Sequence, residues 1–376
     1  MFCKEVTFFF ELIQVAIGSR DALSDRPTAQ EWQALYELSV KQALAGVCFA
    51  GVERLPKEQR PPTQLLLMWF GIGDRIKKWN RIVSARACEL GNRLKAGGLR
   101  TCVLKGQGVA SYYKFRDEGL EFGDSRLDTC CNHLGSLRQS GDIDVWVDGK
   151  RDDTIRYMRR HYKCGMAVVH HIDVEVFRDV PVEVHFIPSY AFSLHRFWVY
   201  KQFFGDLKEE CFAASDGGFS VPSLRFNLVY LLMHIYRHVF HEGIGLRQLM
   251  DYYFVLAHAT HDQKAWAMYW LERMGLNRFA AAVMYVEQKV FGLADGRMLC
   301  GPDEKAGRFL LDEIMRAGNF GQHDPRIQAA HSGGLVRLYI NNVCRLSRMI
   351  KFYPSEVLWA PFWKAGHWVW RKAKGY

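Results

Sequence analysis

The feature that most constrains the fold of this chain is a change in the spacing of its apolar residues near residue 98. Up to that point apolar residues recur every three or four positions, which is the period of an amphipathic helix. Between residues 98 and 190, short segments alternate apolar and polar residues, which is the period of a strand with one buried face. The helical period then returns. This pattern predicts an α+β fold in which a small mixed sheet is flanked by two helical regions.

These changes of period divide the chain into three predicted regions. They are an N-terminal helical region (1–97), a compact α+β core (98–190) and a C-terminal helical region (191–376). A chain of 376 residues also exceeds the size at which one hydrophobic core usually stops growing. The strands predicted in the core are 100–104, 142–148, 167–177 and 180–187, with a helix at 153–163. Residues 114–137 show no clear period and predict an exposed loop or insertion.

Composition and charge exclude several classes of protein. Apolar residues make up 49% of the chain and charged residues 24%, which is typical of a globular protein and not of a disordered one. The ten cysteines show no CxxC spacing, which favours reduced thiols and a cytoplasmic location. The sequence contains no window of about 18 uninterrupted apolar residues, so it does not predict a membrane span. The net charge of +10 favours phosphate-bearing partners such as nucleotides or nucleic acids.

Two acids stand two residues apart in the predicted strand 142–148. Because alternate residues of a strand point to the same face, Asp142 and Asp144 are expected to project together. Paired carboxylates repel each other, and a hard cation such as Mg²⁺ is the usual means of keeping both ionised. An ordinary alternative is that the acids simply end an edge strand that faces solvent. The flanking residues and a third acid favour a metal site.

The residues just before this pair are suited to binding a phosphate group. Gly141 has no side chain, so backbone can approach a phosphate closely at that point. Ser140 and Arg138 can donate hydrogen bonds to phosphate oxygens.

The third acid is Glu183, which lies in the predicted strand 180–187 and shares a strand face with His185. If this strand pairs with the strand of Asp142 and Asp144, three acids can hold two metals for an in-line displacement at phosphorus. The pairing itself is not visible in the sequence.

Four segments of the chain together resemble a known group, the uncharacterised bacterial nucleotidyltransferase-like family of the DNA polymerase β superfamily. The segments are VLKGQG (103–108), RQSGDIDVW (138–146), VEVHF (182–186) and GIGLRQLMDY (243–252). The helical start of the chain and the later segment GNFG (318–321) also fit the resemblance.

The resemblance implies a set of roles. Asp142, Asp144 and Glu183 are expected to be catalytic and to bind Mg²⁺ or Mn²⁺, with Lys105 and Gly106 beside the phosphates of a nucleoside triphosphate. The superfamily usually has its glycine pair shortly before the acids, whereas here residues 114–137 intervene. The acceptor, whether small molecule, protein or RNA, is not implied.

Two basic residues, Lys105 and Arg247, have alternative interpretations. Lys105 lies between a predicted strand and a helix, where it can meet an anion at the helix start or simply be a solvated strand end. Arg247 stands four residues before Asp251, a spacing typical of an ion pair within one helix. With the resemblance, Arg247 is expected to face the core and reach a phosphate.

Two further features of the C-terminal region have competing explanations. His234, His238 and His241 lie on a predicted helix, where a metal role is disfavoured against packed histidines or the lining of a nucleotide cleft. The aromatic and basic residues 359–372 suit an interfacial or RNA-binding helix. Packing of Trp359, Phe362, Trp363 and Trp370 as one covered stripe is the favoured prediction.

The sequence therefore favours a metal-dependent nucleotidyltransferase that transfers a nucleoside monophosphate to an unidentified acceptor. A catalytically silent nucleotide-binding or scaffold protein of the same fold is the first alternative. A basic RNA-binding protein is the second, although no RNA-recognition motif is present.

Overall fold

The computed structural model describes residues 3–113, 134–213, 219–324 and 346–373. Most of the predicted insertion 114–137 lies outside these ranges, apart from a helical turn at 134–137. The N-terminal helices are Lys4–Ile17 (α1), Ala29–Lys41 (α2), Ala45–Arg54 (α3) and Thr63–Ala96 (α4). They begin and end where the sequence provides signals, as in α2, where Thr28 and Glu31 form a reciprocal capping box.

Helix α4 links the two hydrophobic cores of the protein. Its buried positions recur every three or four residues, as the sequence predicts: Leu65, Trp69, Gly73, Ile76, Asn80, Val83, Ala87, Leu90 and Leu94. The first turns pack in the larger core with the helices, whereas the stretch from Val83 to Leu94 packs in a smaller core against the sheet. One long helix thus fixes the sheet relative to the helical part.

The sheet has five strands and is mixed, which confirms the predicted α+β class. Its strands are Thr101–Val103 (β1), Ile143–Val147 (β2), Lys163–Cys164 (β3), His171–Glu175 (β4) and Val182–His185 (β5). Helix Gln107–Ala110 (α5) follows β1, and Arg151–His161 (α6) follows β2. The strand order is β1-β2-β5-β4-β3, in which β2 and β5 are parallel and the other pairs are antiparallel. Strand β3 was not predicted.

The two faces of the sheet have different neighbours. Ile143, Val145 and Val147 point into the smaller core beside α4 and α6. Because side chains alternate along a strand, Asp144 and Trp146 point to the other face. Trp146 packs there against Phe212 and Phe226, with ring centroids 4.7 and 5.9 Å away. The acid therefore lies on the face that the C-terminal helices cover.

The C-terminal helices share the larger core with the N-terminal helices. They are Leu194–Asp206 (α7), Lys208–Phe212 (α8), Leu224–His241 (α9), Leu246–His258 (α10), His261–Arg273 (α11), Asn277–Val286 (α12), Glu304–Ala317 (α13) and Pro354–Ala373 (α14), with a π-helix at Glu287–Phe291. Helix α1 packs on α3 and on the π-helix. The division at residues 97 and 190 stays a prediction. None of the helices in the described ranges combines the length and apolar composition that a bilayer crossing requires.

The prediction that the aromatic stripe of α14 is covered is wrong for two of its members. Phe362 is 72% exposed and Trp359 is 40% exposed. The covered side of α14 carries Glu356 and Ala360 instead. Glu356 accepts a hydrogen bond from Arg196 Nη1 at 2.8 Å and another from the Phe192 backbone N–H at 2.9 Å. This buried ion pair fixes the rotation of the helix and leaves part of its aromatic surface outside.

Glu287, at the start of the π-helix, is fully buried, and neither of its carboxyl oxygens has a hydrogen-bond partner within the described ranges. Burial raises the pKa of this carboxyl well above its ordinary value. Because the folded pKa exceeds the unfolded one, stability falls as the pH rises through 4.5, where the unfolded chain ionises first. The native carboxyl is therefore destabilising at neutral pH.

We expect Glu287→Gln to raise the free energy of unfolding at pH 7 by about 1 kcal/mol or more, since the amide, unlike the carboxyl, has no ionised form that favours the unfolded chain. Urea unfolding measures this gain, which should shrink as the pH falls toward 4.5. The exposed Glu272 provides a control, because Glu272→Gln should change stability by less than about 0.5 kcal/mol. A loss of stability in Glu287→Gln at pH 7 would contradict the prediction.

Candidate active site

The parallel pairing of β2 with β5 brings two acids of the sequence motifs together. Asp144 lies directly opposite Glu183 in the strand register. His185 Nε2 lies 2.9 Å from Asp144 Oδ1 and 3.3 Å from Glu183 Oε2. Glu183 therefore shares the face and the surroundings of Asp144, as the metal hypothesis requires.

Lys105 completes this cluster from the end of β1. Its Nζ lies 2.7 Å from Asp144 Oδ1, and the preceding Leu104 N–H donates to the Asp144 carbonyl at 2.9 Å. Gly106 follows with φ of 58°, a conformation that glycine adopts without the steric cost of a side chain. The positive φ lets the chain turn into α5 immediately after the lysine. Lys105 is thus a half-buried partner of Asp144 and not a solvated strand end.

The charges of the cluster are unequally compensated. Burial opposes ionisation of Asp144, but Lys105 and His185 outweigh it and hold the pKa of this carboxyl below its ordinary value. The negative charge of Asp144, together with burial, raises the pKa of Asp142 to about 6. For His185, burial is outweighed by the hydrogen bonds to Asp144 and Glu183, so its pKa is raised. Asp142 is the acid with excess negative charge beside it.

This donor set fits a hard divalent cation. Asp144, Glu183 and His185 each offer one ligand atom, and these atoms lie within 4.8 Å of one another. Asp142 and Glu183 line the same cavity. Carboxylate oxygens are the donors that Mg²⁺ and Mn²⁺ prefer, and a cation would relieve the repulsion that raises the pKa of Asp142. The identity of the ion stays a prediction.

Two histidines that the sequence analysis missed stand beside this group. His171 lies opposite His185 in the β4–β5 register, and its Nδ1 is 3.4 Å from Glu183 Oε2. His170 Nε2 is 3.0 Å from His171 Nδ1. Burial lowers the pKa of His171 to about 4 and that of His170 well below its ordinary value. The alternation of β4 was the available signal, because it puts His171 on the face of Glu183.

A cavity of about 530 Å³ opens over this face of the sheet. Its walls come from the sheet and from α9, which contributes Arg237, His238 and His241. His238 Nδ1 lies 2.5 Å from Glu242 Oε1, and His241 Nε2 lies 3.2 Å from the Tyr190 hydroxyl. These histidines therefore line the cleft, which was one of the alternatives for them. Arg237 was not predicted, although it directly precedes His238 on the same helix.

A smaller space of about 30 Å³ adjoins Asp142 and Asp144 on the side of the predicted phosphate-binding residues. Lys105, Gly106, Gly141 and Arg247 line it. A side-chain carbon added at Gly141 would meet no other atom within 4 Å, so the backbone there is open to a ligand. Arg247 lies in the first turn of α10. Its Nη1 donates a hydrogen bond to the Gln139 carbonyl at 2.6 Å. Burial, together with the charge of Arg138, lowers its pKa to about 10.

Arg138 and Ser140 have protein partners of their own. Arg138 donates from Nε and Nη2 to the two carboxylate oxygens of Asp251, each at 2.6 Å, and both residues are buried. Tyr113 donates to the same carboxylate at 2.7 Å. Ser140 Oγ donates to Gln107 Oε1 at 3.1 Å. Contacts of Arg138 and Ser140 with phosphate stay predictions. Asp251 forms its ion pair with Arg138 and not with Arg247, the partner that the helical spacing suggests.

Phe320 lines both spaces. Its φ of 49° is uncommon for a residue with a side chain, and Gly318 and Gly321 on either side also have positive φ. Its ring lies 5.1 Å from that of His238 and 5.5 Å from the guanidinium carbon of Arg247. The segment GNFG thus holds an aromatic ring in the cleft at a cost of about 1–3 kcal/mol of backbone strain.

Residues 28–119 and 134–292, which make up about two thirds of the chain, match the sequence model of a family described as uncharacterised nucleotidyltransferase. The chain belongs to this family. No curated protein and no solved structure matches the chain. The matched stretches of this nucleotidyltransferase contain all the predicted site residues, whereas Phe320 and α14 lie beyond them.

The buried pair of Arg138 and Asp251 is expected to support the candidate active site structurally. Asp251→Ala leaves a buried guanidinium without its carboxylate and should lower the free energy of unfolding by about 3–5 kcal/mol. Denaturant unfolding at neutral pH measures this loss. The double variant Arg138→Met with Asp251→Leu should recover part of it, since both charges are gone but the Tyr113 hydroxyl has lost its acceptor. A cost below about 1 kcal/mol for Asp251→Ala would count against this role.

Proposed function

We propose that this protein transfers a nucleoside monophosphate from a nucleoside triphosphate to an acceptor oxygen in a metal-dependent reaction. The observation that carries the proposal is the register of β2 and β5, which sets Asp144 opposite Glu183, while Glu183 and Asp142 line the large cavity and Asp144 lines the smaller space beside it. In the reaction, the acceptor oxygen bonds to the α-phosphorus while the bond to the bridging oxygen of the β-phosphate breaks. Pyrophosphate leaves with that electron pair, and the proton of a hydroxyl acceptor passes to water in the open cavity.

Asp142, Asp144 and Glu183 would hold the Mg²⁺ or Mn²⁺. When bound, such a cation neutralises charge on the phosphoryl oxygens and lowers the pKa of the acceptor hydroxyl. The support for this role is the unequal charge of the cluster, in which Lys105 forms its ion pair with Asp144 and the negative charge of Asp144 raises the pKa of Asp142. Lys105 and His185 keep Asp144 ionised within a buried environment.

The triphosphate would lie on the side of the smaller space. Lys105 and Arg247 supply positive charge there, and Gly106 and Gly141 leave backbone accessible beside Asp142. The net charge of +10 attracts the anionic substrate from solution. These residues bind and orient the nucleotide, and the larger cavity leaves room for the acceptor.

We expect the double variant Asp142→Asn with Asp144→Asn to lose metal-dependent nucleotide binding. Its affinity for ATP in the presence of Mg²⁺ should fall at least about tenfold, equivalent to ~1.4 kcal/mol, because the charge that holds the cation is gone. Titration calorimetry with ATP, GTP, CTP and UTP, with and without Mg²⁺, measures this. Asp153→Asn, on the exposed side of α6, is the matched control and should bind like the native protein.

The outcomes of this titration separate the candidate functions. Native protein that binds no nucleotide in the presence of either Mg²⁺ or Mn²⁺ would refute the proposal. Nucleotide binding that is metal-dependent but releases no pyrophosphate with any acceptor mixture would favour the catalytically silent alternative.

A further inference from the structure

A second cavity, of about 460 Å³, lies between α14 and the sheet side of the protein. Its lining is largely aromatic and aliphatic: Arg151, Val169, Phe192, Leu194, Trp359, Phe362, Trp363, Gly366, His367 and Trp370. We call it the aromatic pocket. Its volume falls in the range of about 300–1,000 Å³ that is usual for small-molecule sites. Its α14 wall lies entirely beyond the residues that match the family.

The aromatic pocket adjoins the large cavity over the acids. Val169, Phe192, Trp363 and His367 line both. The Trp363 ring is stacked on that of Tyr190 at 5.6 Å, with an angle of 15° between the planes. A molecule bound at these shared residues would therefore have the polar cavity on one side and the aromatic pocket on the other.

The chemistry of the two spaces differs sharply. The large cavity is lined by Lys105, Asp142 and Glu183 together with histidines, which suits metal and phosphate. In the aromatic pocket the ionisable side chains are Arg151 and His367, and the three tryptophans add only indole N–H donors. The Arg151 guanidinium carbon lies 4.3 Å from the Trp370 ring centroid, so part of this cation packs against the wall. A nucleobase needs hydrogen-bond partners for its edges, which these walls offer sparingly, whereas an apolar body needs only surface.

We propose that the aromatic pocket is the acceptor subsite, and that it takes a small amphiphilic molecule with an apolar or aromatic body and a terminal hydroxyl or phosphate. This inference rests on the proposed function, because the large cavity supplies the reaction that the terminal group would undergo. The apolar body lies in the aromatic pocket, and the terminal oxygen reaches past Trp363 and His367 toward Asp142 and Glu183. That oxygen forms the new bond to the α-phosphorus, and pyrophosphate leaves.

Gly366 allows the pocket to be filled without removing any native contact. It lines the pocket and is exposed, and a carbon added at its Cβ position would meet no other atom within 4 Å. It also lies inside α14, where leucine favours the helix more than glycine does. Gly366→Leu therefore places an apolar side chain in the pocket. Ala365→Leu adds the same side chain one position away, at an exposed residue outside the pocket lining.

The experiment is titration calorimetry of the full-length native protein and both variants with 1-naphthyl phosphate, n-octyl phosphate and glycerol 3-phosphate. We call 1-naphthyl phosphate and n-octyl phosphate the apolar phosphates, because their organic part is apolar. The native protein is expected to bind at least one of them at least tenfold more tightly than glycerol 3-phosphate. Gly366→Leu should lose that preference by at least tenfold in Kd, while Ala365→Leu should keep it. Thermal unfolding of all three proteins shows whether they are equally folded.

The same three proteins are titrated with Mg²⁺ and ATP to report separately on the acids. Apolar phosphates that bind in the expected pattern while ATP fails to bind would refute the proposed function and leave the apolar subsite standing. Native protein that shows no preference for the apolar phosphates, or a preference that Gly366→Leu leaves intact, would overturn the subsite whatever ATP does.

Discussion

The fold around the site depends on stabilising the buried, ionised carboxylate of Asp144. Asp144 is buried, and an isolated ionised carboxylate in that position would be strongly destabilising. Lys105 from the end of β1 and His185 from β5 surround it with positive charge, and each comes from a strand adjacent to β2. The strand pairing and the charge compensation therefore stabilise each other. The compensation is weaker at Asp142, whose pKa is raised by the negative charge of Asp144, and under the proposed function this excess charge would attract the cation.

The helical part of the chain turns this charged sheet face into a cavity. Trp146 anchors the helices to the same face as Asp144, since it packs against Phe212 and Phe226. Farther along, α9 presents Arg237 and His238 to the space above the acids instead of apolar side chains. Packing at one end of the face and polar residues at the other leave a cleft between sheet and helices. The pocket that adjoins this cleft at α14 is apolar, so two kinds of surface lie side by side.

Local periodicity explains what the sequence could predict and where it failed. The alternation at Asp142–Asp148 and Val182–Phe186 encodes which side chains share a face, because that relation involves neighbours in the chain. Partner choice across the fold is not encoded locally, so the bond between Arg138 and Asp251, 113 residues apart, could not be foreseen. The exposure of Phe362 was missed for the same reason. The rotation of α14 follows from the ion pair of Glu356 with Arg196, 160 residues away.

The parallel register of β2 and β5 has a consequence for how proteins of this architecture can vary in length. Insertion of a single residue within either strand would turn one carboxylate toward the side of Val145 and Val184, because successive strand residues face opposite ways. Insertions in the loops between these strands, such as residues 148–150 and 176–181, leave the register intact, and each doubling of a flexible loop adds only about 0.6 kcal/mol of closure entropy. Relatives can therefore differ in the length of these loops, whereas the two acidic strands themselves must keep their residue count.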